Sequence, residues 1–306
     1  MKIQFLNGGL ANQAFQYIFA RYYELSHPGE IMYLDDSYFA IHTVHNGYEL
    51  EKVFGLQPHF LSECFDEDVW AYMLEEKRKG KSIPETMKEN GMELTFISEA
   101  GDGFNKFNPF SGTVNKVPTN IYYPAIQEIP GIVYYHGYWL NGDWFRAYED
   151  SFLEELTFPE LVDDKNRKYL QVIESCPSAA IHIRRGDFVD LDMAIPANIY
   201  KVMVGQFREK LEASSEAEKE IGKWTGVVFS DDIEWCRNSR EELGLDSFGD
   251  VIFAEGNVQG KNYIDMQLMS RCEGMIMSNS SFCYLAALLN TRKKIVVNPT
   301  GREVII

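Results

Sequence analysis

Short apolar runs recur along the chain: KIQFL near the start, then EIMYL, GIVYYHGYW, AAIHI, GVVFS, DVIFA, GMIMS and KIVVN. Continuous runs of this length, rich in β-branched and aromatic residues, predict strands buried on both faces. Helical periodicity fills many of the gaps between them. Phe15, Ile18, Phe19 and Tyr22 fall at i, i+3, i+4 and i+7, and so do Phe282, Leu285, Ala286 and Leu289. Each set marks one apolar face of a helix. IYKVMVGQFREKLE is a further amphipathic segment, with Pro196 just upstream, where proline suits a helix start. Buried strands alternating with helices predict an α/β protein built on parallel sheet.

The alternation is cleanest from about Asn166 onward. The first half begins the same way, but between about Leu61 and Pro130 charge, Phe and Gly accumulate and the periodicity weakens. There EEKRKGK reads as a solvated helix end and turn, and DGFNKFNPFSG as loop. A boundary is expected around FPELVDDKNRKY, giving an N-terminal domain over residues 1–160 and a C-terminal domain over 161–306.

The 306 residues suffice for two such domains, and 45% hydrophobic content supplies the core they need. The net charge of −17 argues against nucleic acid or an anionic membrane as partner. It also makes any local cationic spot informative, because an anion must be held there against the overall field. Five cysteines at spacings unlike metal or redox motifs read as buried free thiols in a reducing compartment. The N-terminal apolar run is too short for a signal peptide, and no stretch approaches the ~20 apolar residues of a membrane span. A cytoplasmic protein is expected, with peripheral contact at the inner membrane left open.

Four places carry candidate chemistry. In NGGLANQAFQY a strand meets Gly8 and Gly9 and then a helix, whose first N–H groups suit an anion or a sugar hydroxyl. Asn12 and Gln13 sit in its first turn, with side chains able to hydrogen-bond a polar ligand; a tight βα turn with Asn12 near the cap is the alternative. In AIHIRRGD, alternation puts Ile181 and Ile183 on one strand face and His182 and Arg184 on the other. Arg184 offers a planar fork to phosphate oxygens. Arg185 falls on the Ile face unless the strand has already turned, and Asp187 is placed to orient either arginine. A structural Arg–Asp pair is the alternative. In GVVFSDDIEWCRNSREELG a strand ends at Ser230, and a helix follows that closes near Gly244. Asp231 and Asp232 either cap that helix or meet ribose hydroxyls or a purine edge. In GMIMSNSSFCYLAALLN, Ser278 to Ser281 open an apolar helix and suit a phosphate, or cap it. Together these give three polar strand ends on one edge of one parallel sheet, holding arginine, carboxylate and phosphate-binding helix starts, the profile of a nucleotide diphosphate site. Asp190 and Asp192 form the D-x-D pattern some metal-dependent sugar transferases use, and read here as loop acids.

GGLANQAFQ, HIRRGDF, FSDDIEWC and DMQLMSRCEGMIMSNSSF, in that order, resemble the bacterial α-1,2-fucosyltransferases of glycosyltransferase family 11. HGYWLNGDWF is similar to that family's aromatic segment. The likeness spans nearly the whole chain and is weakest between about Leu61 and Pro130. Ala11 stands where the family usually has glycine, and Cys283 and Tyr284 where it usually has two tryptophans. The resemblance implies a GT-B-like architecture, two Rossmann-like domains facing a cleft. It implies GDP-fucose as donor, transfer with inversion, no cofactor, no required metal, and a galactose-terminated glycan as acceptor, either an O-antigen repeat or lactose-like. By similarity the catalytic set is Arg184, His182 and Asn12. Arg184 would hold the diphosphate, His182 would support the sugar nucleotide, and Asn12 would reach the reaction centre from the acceptor-side N-terminal domain. Arg185, Asp187, Asp231, Asp232, Ser280, Ser281, Phe282 and Gly9 would complete the donor site, with the two aspartates serving guanine or ribose. Asp36, His182 or a leaving-group phosphate oxygen would take the acceptor proton. The rivals are a GT-B enzyme using another sugar nucleotide, such as GDP-mannose, and a non-catalytic module that binds an anionic glycan.

Overall fold

The computed structural model describes residues 1–42, 46–99, 114–214 and 219–299. The chain divides into two compact units, Met1–Thr157 and Phe158–Ile306. Each holds one five-stranded sheet.

In the first unit the strands are β1 (Lys2–Phe5), β2 (Met32–Asp35), β3 (Leu94–Glu99), β4 (Val114–Val117) and β5 (Ile132–His136), in the order β2-β1-β5-β3-β4. All pairings are parallel. Alternation along β5 sends Tyr134 and Tyr135 to opposite faces. On one face Phe19 of helix α1 (Leu10–Ser26) meets Tyr135 edge-on at 5.2 Å and stacks on Trp139 at 4.3 Å. On the other, Ile3, Phe5, Phe96 and Tyr134 pack with Met73 of α2 (Glu67–Arg78) and with Ile83 and Met87 of α3 (Ile83–Glu89).

Two of these strands, β3 and β4, and both of these helices fall in the stretch where the periodicity looked weak. β4 is four residues at the sheet edge, and β3 is LTFISE, whose first two residues are only partly buried and whose last two are polar. Neither presents the continuous apolar run by which the other strands are read. The segment DGFNKFNPFSG, expected as loop, lies outside the described residues.

The second unit holds β6 (Ser178–Ile183), β7 (Thr225–Ser230), β8 (Asp250–Phe253), β9 (Gly274–Ile276) and β10 (Ile295–Val297), ordered β10-β9-β6-β7-β8 and parallel throughout. Counted within the unit, this is the nucleotide-binding order 3-2-1-4-5. Its helices include α4 (Asp164–Ser175), α5 (Gly186–Asp190), α6 (Ala197–Ala213), α7 (Ile233–Asn238), α8 (Tyr263–Met269) and α9 (Ser281–Leu288). α6 lays Tyr200, Met203, Val204, Phe207 and Leu211 onto the sheet. At Gly274 the Phe207 ring comes so close that an added Cβ would sit 2.6 Å from it, so only glycine fits. The expected pair of α/β units built on parallel sheet is therefore present. All five cysteines are free thiols.

Candidate active site

β6 runs through the middle of the second sheet with all six residues buried. Ile181 and Ile183 point into the core. His182 points the other way, its Nδ1 2.8 Å from Ser278 Oγ and its ring stacked 5.6 Å from Phe282. Ser278 follows β9, the neighbour of β6 at which the strand order reverses. That reversal opens the crevice where α/β sheets take ligands. Complete burial, with the Arg184 charge beside it, pushes His182 down to about 3. The imidazole is therefore neutral near pH 7 and brings hydrogen bonds without charge.

The chain leaves the strand at Arg184. Its guanidinium lies between two carboxylates, Asp187 at 2.5 Å and Asp231 at 2.9 Å. Asp231 also accepts from the backbone N–H of Arg185 at 2.8 Å, tying the ends of β6 and β7 together. Arg185 leaves the Ile face that strict alternation would give it. Its backbone, at φ −130° and ψ −81°, has already broken from the strand to open α5. The side chain instead stacks 3.7 Å over Trp235 and pairs with Asp232 at 3.2 Å.

The two adjacent aspartates divide the work. Asp232 caps α7 by accepting from Trp235 N–H at 3.1 Å, while Asp231 braces Arg184. The helix they open stops at Asn238, six residues before the expected end near Gly244. A looser turn carries the chain on from there: Leu243 is fully buried, its N–H donates to the Ser239 carbonyl at 2.9 Å, and Gly244 follows at φ +76°. Ser280 caps α9 by accepting from Phe282 N–H at 3.2 Å, and Ser281 is its first residue. Cys283 lies buried beneath this turn, its thiol 3.2 Å from the Ser280 carbonyl and 3.5 Å from that of Ser278. A small side chain fits there. Asp190 and Asp192 are both exposed, at the end of α5 and in the turn after it.

In the first unit Gly8 takes φ +79°, and Gly9 is the N-cap of α1. Asn12 is half-buried, with its amide nitrogen 2.7 Å from where a Cβ on Gly8 would stand. Gln13 is not available to a ligand, contrary to the expectation from its place in the first turn. It is completely buried; its amide donates to the carbonyls of Gly8 and Gly47 at 2.9 Å and accepts from Glu49 N–H. Gln13 thus holds the turn itself.

A second polar cluster escapes the motif reading. Asp35 closes β2 and accepts from the buried Tyr134 hydroxyl. Burial and the adjacent Asp35 push Asp36 up to about 6. Lys77 turns inward: its Nζ is 2.6 Å from Ser37 Oγ and 4.8 Å from the centre of the Phe5 ring, and burial lowers its pKa. Burial, with Lys77 nearby, pushes His136 down to about 4. Lys77 belongs to EEKRKGK, expected to be solvated throughout. The clue in the sequence is that Met73 and Lys77 lie four residues apart and share the buried face of α2.

The profile of glycosyl transferase family 11 matches residues 123–303, more than half of the chain and including the whole His182–Arg184–Asp231–Ser280 constellation. The chain belongs to glycosyl transferase family 11. An α-1,2-colitosyltransferase of Escherichia coli is 29% identical over 297 residues, 96% of this chain and 90% of that one. The Escherichia coli O-antigen biosynthesis glycosyltransferase WbnK is 25% identical over 96% of this chain and 92% of its own. The gorilla galactoside α-(1,2)-fucosyltransferase 2 is 27% identical over 191 residues, 58% of this chain and about half (53%) of the gorilla enzyme. Among solved structures, a mutant of Arabidopsis thaliana FUT1 in complex with GDP has a TM-score of 0.47 at 13% identity, over 96% of this chain and 69% of that one. The fucosyltransferase NodZ from Bradyrhizobium has 0.42 at 11%, over 98% and 96%. Likenesses this loose add nothing to the strand order itself. Glycosyl transfer is thus the chemistry of this family 11 chain, and the strand-end cluster of the second unit is its candidate donor site. No helix among the described residues is long and apolar enough to cross a membrane.

Proposed function

We infer that this family 11 enzyme moves L-fucose from GDP-fucose to the 2-hydroxyl of a terminal galactoside, with inversion. The acceptor is an O-antigen repeat or a lactose-like glycan, lipid-linked acceptors at the inner membrane included. The observation that carries this reading is the guanidinium of Arg184, held by Asp187 and Asp231 at the crevice between β6 and β9. Breaking the bond from the anomeric carbon to the diphosphate leaves negative charge on GDP. A cation already fixed in place stabilises that charge without reorganising, and removing one such group costs about 3 kcal/mol, or ~100-fold in rate. Arg184 takes this role. His182, neutral and buried, hydrogen-bonds without repelling the cation beside it. Ser280, Ser281 and Phe282 line the phosphate end, Arg185, Asp231, Asp232 and Gly9 complete the donor contacts, and Asn12 acts near the reaction centre. Asp36 suits the acceptor proton better than His182, because its pKa lies nearer the working pH. No step is assigned to a metal ion.

A second donor has support. The relative aligned over 96% of the chain is named a colitosyltransferase, and colitose lacks one hydroxyl of fucose. A site that hydrogen-bonds that hydroxyl rejects the deoxy sugar by a factor of about 10⁴ or more, whereas an apolar site discriminates only weakly. Competition among GDP-fucose, GDP-colitose and GDP-mannose, read as kcat/KM with lactose, tests the assignment. Preference for GDP-fucose supports it; preference for either of the others replaces the donor.

A further inference from the structure

The first unit contains a cavity of about 320 Å³ between the sheet and the turn from α2 to α3. Its floor is aromatic: Phe5, Phe96 and Tyr134 from three neighbouring strands, with Tyr38 beyond the end of β2. Register places these side chains together, since Phe96 pairs with Tyr134 and Ile3, two residues before Phe5, pairs with Tyr134 as well. Lys77 and His136 face this floor, and the exposed His42 stands at its edge, its ring 4.8 Å from that of Tyr38. The size, the apolar lining and the few converging polar groups are those of a small-molecule site.

Charge decides what class of molecule fits. Lys77 lies in the field of Asp35 and Asp36. The other cations on the wall are matched as well: Arg78 pairs with Glu75 at 3.4 Å, and Lys81 with Glu76 at 2.9 Å and Glu89 at 2.8 Å. The lysines and arginine of the wall are therefore each matched by carboxylates, which leaves little to attract an anion. An ammonium and an imidazole among aromatic rings suit a neutral ligand with hydroxyls on its edge and C–H groups on its face.

We propose that this cavity binds one pyranose ring of the glycan acceptor, with Lys77 donating to a ring hydroxyl and the aromatic floor stacking against the sugar's apolar face. This rests on the inference that the acceptor is a glycan, and it deepens that inference by naming where the sugar sits. Lys77 keeps Ser37 Oγ as a partner and has further N–H groups to offer.

The test is saturation-transfer NMR on the full chain with methyl β-galactoside, methyl β-glucoside and lactose, for the parent, Lys77→Met and Tyr38→Ala. Lys77→Met keeps the buried stem and removes the donor, while half-buried Tyr38, which packs on the edge of the core against Phe5, offers a second variant on a separate segment. Loss of a hydrogen bond from a charged group costs roughly tenfold in affinity. At least one sugar is expected to bind the parent, with transfer to its ring protons falling about tenfold in both variants while GDP binding stays unchanged. Sugar binding that is equal in all three proteins, or absent from the parent, overturns the pocket assignment. Binding without turnover on GDP-fucose leaves the pocket standing and counts against the proposed transfer instead.

Discussion

Gly186 opens α5 with its Cα facing Asp231. A Cβ there would stand 2.6 Å from Asp231 Oδ2, the oxygen that pairs with Arg184. Gly186→Ala must therefore push the carboxylate aside and unseat the guanidinium. Because the site is exposed, Tm is expected to change little, while kcat/KM for the GDP-sugar falls about tenfold; normal kinetics would show that Asp231 does not position Arg184. Asp36 gives a pH test. Its raised pKa keeps it protonated, and idle as a base, until pH passes about 6. Turnover is then expected to rise through that value in the parent and to lose this limb in Asp36→Asn. At this scale the legible residues were those whose chemistry clashes with a buried strand, such as His182 and Arg184. Lys77 was not legible, because in sequence it looks like its exposed neighbours Arg78 and Lys79 and yet turns inward.

Among the elements, the start of α4 is tied to α8 by a buried polar chain. Asp163 caps α4 at Asn166 N–H, 2.9 Å away, Asn166 pairs with Asn257, and Asn257 donates to Asp265 of α8 at 2.7 Å. Burial pushes Asp265 up to about 7. The folded state thus holds this proton where the unfolded chain, near 3.8, has released it. The associated stability is fully present below about 4 and is lost as pH rises through about 7. Asp265→Asn keeps the acceptor oxygen and removes the titration. Its Tm relative to the parent is expected to be higher at pH 8 than at pH 5, and an equal difference at both would contradict the assignment. The strands read from sequence were those buried on both faces; β3 and β4 were missed because an edge strand of VNKV and a partly exposed LTFISE lack that pattern. The end of α7 was missed for a different reason: past Asn238 the chain keeps turning toward the buried Leu243 and Gly244, but not as regular helix.

For the molecule as a whole, a charge of −17 repels a GDP-sugar at long range, while Arg184 and Arg185 act only within contact distance of their own carboxylates. Salt screens the long-range part first. The association rate of GDP-fucose, followed by stopped flow, is expected to rise between about 20 and about 200 mM NaCl; a fall would mean that a local positive field dominates the approach. Two parallel-sheet units were legible because buried strand alternates with helix through the second half and at the start of the first, and the polar cluster of the second unit because its groups sit at strand ends. The cavity of the first unit was not, since it joins residues from Phe5 to His136 that only the register of three strands brings together. The central claim is that Arg184 stabilises a departing diphosphate in fucosyl transfer. Its most direct test is GDP release from GDP-fucose, with and without lactose and in the presence of EDTA, for the parent and for Arg184→Ala. Lactose-dependent release that survives EDTA and falls at least about 100-fold in a folded Arg184→Ala protein is the expected result. Near-normal release by that variant would contradict it.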